Sequence, residues 1–427
     1  MKKLILSGIC ALTCSAAPAF AADMAVKAPP PAPATSWWDT VSINGHVEVG
    51  VNGNGNNPTG GTNFGSFFTD KPNSVLLNQA MFTIQRPLDP KAKGYDFGFK
   101  FQTMYGSDAR YTHFLGEFDE SISGRNQFDI VEAHALIHTP WFTPGGMDLK
   151  LGQYVTLEGA EVIDATGDML YSHSYIFNFG IPFKHTGIMT TTHVNSVLDI
   201  YAGVDTGVNT TFGNHFNCID CGDNNTAAAF HGGVGLNLMD GALTILATTH
   251  TGPENPNVTA TVLAGVNPNT ALRSLNDLTA VWKVNDKLTL TTDLNYIRDD
   301  GFKATGGGVA QYFQYQLYDW LSIIGRGEIW RDNNGFFVAS FPCNLCFVQV
   351  EHGDPLGIAI GGGATTYSEW TLGLNIKPTV PKTFEGTVIR PELRYDASLN
   401  GTTPYGGGTK SSQFTAAVDI IVPFTVK

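Results

Sequence analysis

The chain has 427 residues, a net charge of −13, 15% charged residues and 48 glycines. That acidic balance excludes the basic surface that nucleic-acid binding needs. A mean hydropathy of −0.04 suits a soluble secreted protein, but also a membrane barrel, whose lipid-facing and lumen-facing residues cancel in any window.

The N-terminus reads as a secretory signal. Lys2 and Lys3 supply the positive start, and an apolar run follows from 4 to 14. Ala19-Phe20-Ala21 is a small-x-small cleavage site, so the expected signal peptide is 1–21. The run falls short of the roughly 20 apolar residues a membrane-spanning helix needs, and no later segment reaches them. Ala11-Leu12-Thr13 before Cys14 is a poor lipoprotein box, so no lipid anchor is expected. The stretch 28–34 alternates proline with alanine, and prolines hold a chain extended. Residues 22–40 are therefore predicted as a periplasmic linker, with a barrel over 41–427.

From there the dominant signal is period-two alternation over about ten residues, the length of a tilted membrane strand. Val41, Ile43, Val47, Val49 and Val51 share one face, and Ser42, Asn44, His46 and Glu48 the other. Tyr95, Phe97, Phe99 and Phe101 alternate with Asp96, Gly98, Lys100 and Gln102. Leu288, Leu290, Leu294 and Tyr296 alternate with Lys287, Thr289, Thr291, Asp293 and Asn295. Near the end, Phe414, Ala416, Val418, Ile420, Val422 and Phe424 share a face.

The connections alternate too. Short ones at 86–94, 140–146, 195–196, 240–241, 285–286 and 319–320 interleave with long ones at 52–74, 107–126, 157–182, 207–226, 251–271 and 333–363. Short periplasmic turns and long extracellular loops are the mark of outer-membrane barrels. The pattern predicts about sixteen antiparallel strands, starting near 41, 77, 94, 127, 147, 183, 196, 227, 242, 273, 287, 305, 321, 364, 386 and 411. The sixth alternates poorly, and Pro391 removes a ladder donor from the fifteenth. Sixteen strands leave a water-filled channel. Trp37, Trp38, Trp141, Phe142, Trp282, Trp320, Trp330 and Trp370 fall near strand ends, as girdle residues do; ordinary packing is the competing explanation.

Four cysteines remain after the signal, as Cys218-x-x-Cys221 and Cys343-x-x-Cys346. Paired CxxC spacing suits zinc, but an exported chain meets an oxidising compartment, which favours disulfides. Whether each pair closes on itself or crosses to the other stays open. Glu132, His134 and His138 share a strand face, yet residues four apart on a strand are about 13 Å apart, too far for one ion. No GxSxG, HExxH or phosphate-binding glycine loop occurs. Neither a cofactor nor a resident metal is expected.

Phe128-Asp129-Ile130-Val131-Glu132-Ala133, Leu149-Lys150-Leu151-Gly152-Gln153-Tyr154, Glu161-Val162-Ile163-Asp164, Tyr171-Ser172-His173-Ser174-Tyr175, Gly180-Ile181-Pro182-Phe183 and His185-Thr186-Gly187 form a run. This run resembles the core of the OmpL-like β-barrel porins. Residues 22–29 look like the mature start of alphaproteobacterial outer-membrane proteins. One departure is the C-terminus: many such barrels end on an aromatic, whereas Thr425-Val426-Lys427 follow Phe424 here.

The resemblance implies an outer-membrane channel with poorly defined substrates; with the sixteen-strand reading, the expectation is a non-enzymatic diffusion pore for small hydrophilic solutes and ions. Its expected partners are outer-membrane lipid, the barrel assembly machinery and two further copies in a homotrimer. It also implies that the third long loop folds inward, placing Glu158, Glu161, Asp164 and Asp168 at the constriction. By alternation Lys100, Lys150, Lys283, Arg326, Arg390 and Arg394 point inward. They either face those acids across the opening, giving mild cation preference, or pair locally with Glu328, Glu392 and Asp396. The rival functions are a barrel that binds through its outer loops and a barrel-embedded hydrolase.

Overall fold

The computed structural model describes residues 36–56, 58, 61–114, 124–212, 225–255, 266–338 and 363–426. The expected signal peptide and the four cysteines of the CxxC pairs lie outside the described residues. Sixteen strands appear among the described residues: β1 (Ser42–Asn54), β2 (Val75–Arg86), β3 (Asp96–Gly106), β4 (Gln127–Thr139), β5 (Met147–Val155), β6 (Lys184–His193), β7 (Leu198–Asp205), β8 (Ala229–Leu238), β9 (Leu243–Pro253), β10 (Leu272–Lys283), β11 (Leu288–Asp299), β12 (Ala304–Tyr318), β13 (Leu321–Asp332), β14 (Thr365–Ile376), β15 (Val388–Ser398) and β16 (Ser412–Thr425). Each begins within two residues of its expected place.

Every strand pairs antiparallel with its sequence neighbours, and β1 closes the barrel on β16 with Val49 opposite Ile420. Closure leaves no edge, so the ladder satisfies the backbone where lipid offers no hydrogen bonds. Alternation then sorts the faces. Val47, Val49, Phe97, Phe101, Leu294, Tyr296, Phe414 and Ile420 are exposed outward, and Glu48, Gln102, Asp293 and Asp419 are buried inward.

Local chemistry explains the irregularities. Val131 is an extra residue in β4: Gln102 pairs with Glu132 and Thr103 with Ile130. This bulge puts both Val131 and Glu132 on the inner face, where both are buried. On the other side of β15 from β16, the ladder with β14 is interrupted between Glu392 and Ile389, around Pro391.

Four expectations change. The connection 300–303 lies at the loop end yet is short. Trp330 is not a girdle residue: it points into the lumen, fully buried, edge-on to Phe337 at 6.1 Å. Trp37, Trp38, Trp141, Phe142, Trp282 and Trp320 are exposed at strand ends, whereas Trp370 is exposed outward in the middle of β14. The end of the expected linker is a 3-10 turn, Trp37–Thr40, capped by Ser36 and anchored by the Trp37 indole donating to Phe97 O at 3.0 Å. Finally, the lumen is partly filled at the level of the long loops. Phe67, Phe68, Tyr111, Tyr175, Phe177, Phe179, Phe183 and Phe337 form an apolar core inside the wall. Burying such a side chain stabilises by about 1.5–3 kcal/mol, enough to hold loops that have no ladder of their own.

Candidate functional site

An irregular segment can be buried only if its backbone donors and acceptors find partners. Residues 156–183, between β5 and β6, meet that condition inside the barrel because the wall supplies charged side chains of both signs. Carboxylates take the amides. Asp277 accepts from Gly159 N at 3.0 Å and Asp293 from Ala160 N at 2.9 Å. Glu392 accepts from Tyr171 N and Ser172 N, and Glu328 from Tyr175 N at 2.6 Å and Ile176 N at 2.8 Å. Guanidiniums take the carbonyls: Arg390 donates to Ala165 O and Asp168 O, Arg326 to Ser172 O, Arg394 to His173 O. From β2, eight strands round the barrel from β10, Gln79 donates to Ile163 O at 2.7 Å, and Asn78 accepts from the Tyr171 hydroxyl at 2.9 Å.

Within the segment, Asp164 caps a 3-10 turn, Ala165–Gly167, by accepting from Thr166 N. Asp168 accepts from Val162 N at 2.9 Å and lies 3.0 Å from His173 Nε2. A π-helical turn, Ile176–Gly180, follows, with Ser174 Oγ accepting from Phe177 N. It carries Phe177 and Phe179 into the apolar core.

The four expected acids therefore have four different environments. Glu161 is paired with Arg326 at 2.6 Å and accepts from Ser174 N at 2.8 Å. Burial pushes its carboxyl up, but Arg326, His173 and the Ser174 amide outweigh burial and hold it below the usual range. For Asp168 burial wins over the His173 contact, and its carboxyl is raised. Asp164 accepts from Gln102 Nε2 at 3.0 Å and lies 3.6 Å from His46; its side chain keeps 30% exposure. Burial again acts upward, but His46, the Thr166 contacts and Lys100 bring its carboxyl below the usual range. Glu158 is 1% exposed, and neither carboxylate oxygen has a hydrogen-bond partner among the described residues. Burial, then Asp277 and Asp205, push its carboxyl well up.

Arg326, Arg390 and Arg394 are buried on the inner face, and Lys283 is exposed at the end of β10. Arg326, Arg390 and Arg394 tether the loop rather than face it across a gap, and each also pairs on the wall, with Glu369, Asp419 and Asp396 respectively. Lys100 pairs with Glu132 at 2.5 Å. His134 and His138 part company as spacing required: His138 bonds Asp148 at 2.6 Å, while His134 lies 3.5 Å from Glu132.

A barrel of this strand number, with a long loop held in its lumen, is the architecture of porins. Over residues 40–424 the chain matches the model of the family described as beta-barrel porin-2, OmpL-like. The chain belongs to this family. No curated protein matches it in sequence. Among solved structures it is similar to the anion-selective porin from Comamonas acidovorans, with TM-score 0.54, 11% identity, and 90% of this chain and 99% of that chain covered. It is also similar to the outer-membrane channel DcaP of Acinetobacter baumannii, with TM-score 0.53, 11% identity, and 90% and 96% covered. The trimer form of OmpT from Vibrio cholerae gives TM-score 0.51, 11% identity, and 90% and 99% covered. At such identity these likenesses establish the fold.

Sequence reading missed two features of this OmpL-like porin. The wall carboxylates Asp277, Asp293, Glu328 and Glu392 act as acceptors for the loop backbone. The signal available for them was inward parity on their strands. The second feature is a buried group, His185, Asp205, His231 and His250, on β6 to β9. Here the sequence held no signal, because the four come from four strands with no common spacing.

Proposed function

We propose that this porin lets small hydrophilic solutes and ions diffuse across the outer membrane, past a constriction formed by residues 156–183. The observation that carries this is the loop held inside a closed barrel by side chains from opposite walls. Of the four acids expected at the constriction, Glu161 is compensated by Arg326, and Glu158 and Asp168 are buried with raised carboxyls. Asp164 is the one that acts on passing ions, and it gives the channel a mild cation preference. A channel is favoured over a surface adhesin, because Phe67, Phe68, Phe336 and Phe337 of the outer loops are buried in the lumen. It is favoured over an enzyme by the family and by the porin neighbours. The trimer form of OmpT supports assembly of this chain as a homotrimer, in outer-membrane lipid and after folding by the barrel assembly machinery.

Planar-bilayer recording tests this. Wild-type protein conducts with a small cation preference, and Asp164→Asn moves the reversal potential toward anions, more at low salt where screening is weaker. Folded protein without conductance overturns the channel. An unchanged reversal potential in a conducting Asp164→Asn channel removes Asp164 from the constriction.

A further inference from the structure

We propose that the inner wall of β6–β9 carries a binding site for one divalent transition-metal ion of zinc type, with His185 Nδ1, His231 Nδ1 and Asp205 Oδ2 as its protein ligands. The register brings them together. Asp205 stands opposite Gly187, two residues along β6 from His185. His231 stands opposite Gly203, two residues along β7 from Asp205, and pairs on its other side with His250. Even spacing puts all four side chains on the inner face, near the loop end of the barrel. A Cβ on Gly187 would collide with Val204 O and lie 2.6 Å from Asp205 Cα, so a larger residue there would push the β7 backbone away and carry Asp205 with it.

The donor atoms already converge. His185 Nδ1 is 3.3 Å and His231 Nδ1 3.9 Å from Asp205 Oδ2, and the three ligand atoms lie within 4.8 Å of one another. Tetrahedral zinc with bonds of about 2.0–2.2 Å separates its donors by about 3.3–3.5 Å, so small side-chain rotations suffice. A second observation points to a ligand. The His231 ring is fully buried, and neither of its nitrogens has a hydrogen-bond partner among the described residues. Core histidines that serve only packing pair their ring nitrogens, because an unpaired buried polar atom is costly.

The surroundings match what ligating side chains require. His185 uses Nε2 to reach Thr156 Oγ1 at 3.2 Å, which leaves the Nδ1 lone pair on the Asp205 side. Asp205 Oδ1 accepts from Gly207 N at 2.9 Å and lies 3.0 Å from His250 Nε2, so the carboxylate is oriented with Oδ2 toward the other two rings. His250 is thus a positioning residue, backed by Glu254 with Oε1 3.8 Å from His250 Nδ1. Such outer contacts fix ligand orientation. Two imidazoles and a carboxylate suit zinc, cobalt or nickel rather than magnesium or calcium, which prefer all-oxygen sets. Thr156 stands at the root of the lumenal loop, so the ion would fasten the loop to the wall.

The test uses full-length protein folded in detergent, with Cys10, Cys14, Cys218, Cys221, Cys343 and Cys346 changed to Ser to remove thiolate sites. After chelation and dialysis, zinc is titrated and bound metal is counted by elemental analysis. One zinc per chain is expected, and Co²⁺ in its place should give the weak visible bands of nitrogen and oxygen ligation. His231→Gln and His185→Gln should each weaken zinc binding at least tenfold, and His134→Gln should leave it unchanged. Heat-modified gel mobility reports folding; if either glutamine variant fails to fold, Asp205→Asn, which keeps the carboxylate's shape, takes its place. Absence of zinc binding by the parent protein, or stoichiometric zinc in folded His231→Gln, His185→Gln or Asp205→Asn protein, overturns the site.

Discussion

Glu158 and Glu161 sit three residues apart in one loop, both buried, with opposite shifts in proton affinity. For Glu161 the Arg326 guanidinium decides; for Glu158 burial and the acids Asp277 and Asp205 decide. A carboxyl raised in the folded state adds stability at low pH, fully present below the ordinary glutamate range. That stability is lost as pH rises through the raised value. Glu158→Gln removes this titration. It should leave the melting temperature at pH 4 nearly unchanged and raise it at pH 8, which melting curves across pH 4–8 will show. A variant no more stable than wild type at pH 8 would mean that Glu158 is solvated or paired as an anion. Sequence shows four acids in one loop, but it could not separate them, because each shift depends on residues from distant strands.

At the scale of the strand, alternation carries nearly all the information. Leu290 and Thr291 are neighbours on β11, yet the first faces outward and the second is buried on the inner face. Leu294→Arg, on the outward face at the middle of the same strand, should cost about 2–4 kcal/mol and sharply reduce the fraction reaching the heat-modifiable folded form. Thr291→Arg, beside the lumenal Asp293, should assemble much closer to wild-type yield. Equal yields would contradict the assigned faces. Trp330 escaped this logic: its position near a strand end suggested a girdle, but its even parity on β13, shared with Arg326 and Glu328, already pointed inward. The bulge at Val131 was not legible, since an extra residue shows only against its partner strand.

Across the whole molecule, the wall closes without an edge and the loops fill part of what it encloses. Wall charges serve as backbone partners for a segment that would otherwise bury unpaired amides and carbonyls. The proposed constriction makes a direct prediction. Replacing 160–174 by a short Gly-Ser linker removes Glu161, Asp164 and Asp168 together with the turn held by Arg390 and Glu392. Single-channel conductance of the folded variant should rise several-fold. The same conductance as wild type would place the narrowest point elsewhere.

The sequence by itself determined the strand number, the faces and the end of the barrel with the longer loops, because strand periodicity is local and the bilayer imposes the same length and alternation on every strand. It also indicated which loop enters the lumen, through resemblance to a family. Only the tertiary structure decided which lumenal charges are compensated, that aromatics of several loops pack within the wall, and that three histidines and an aspartate from four strands meet. Those outcomes depend on register between strands and on distances across the lumen. No local pattern encodes such distances: the partner of Glu161 lies 165 residues away at Arg326.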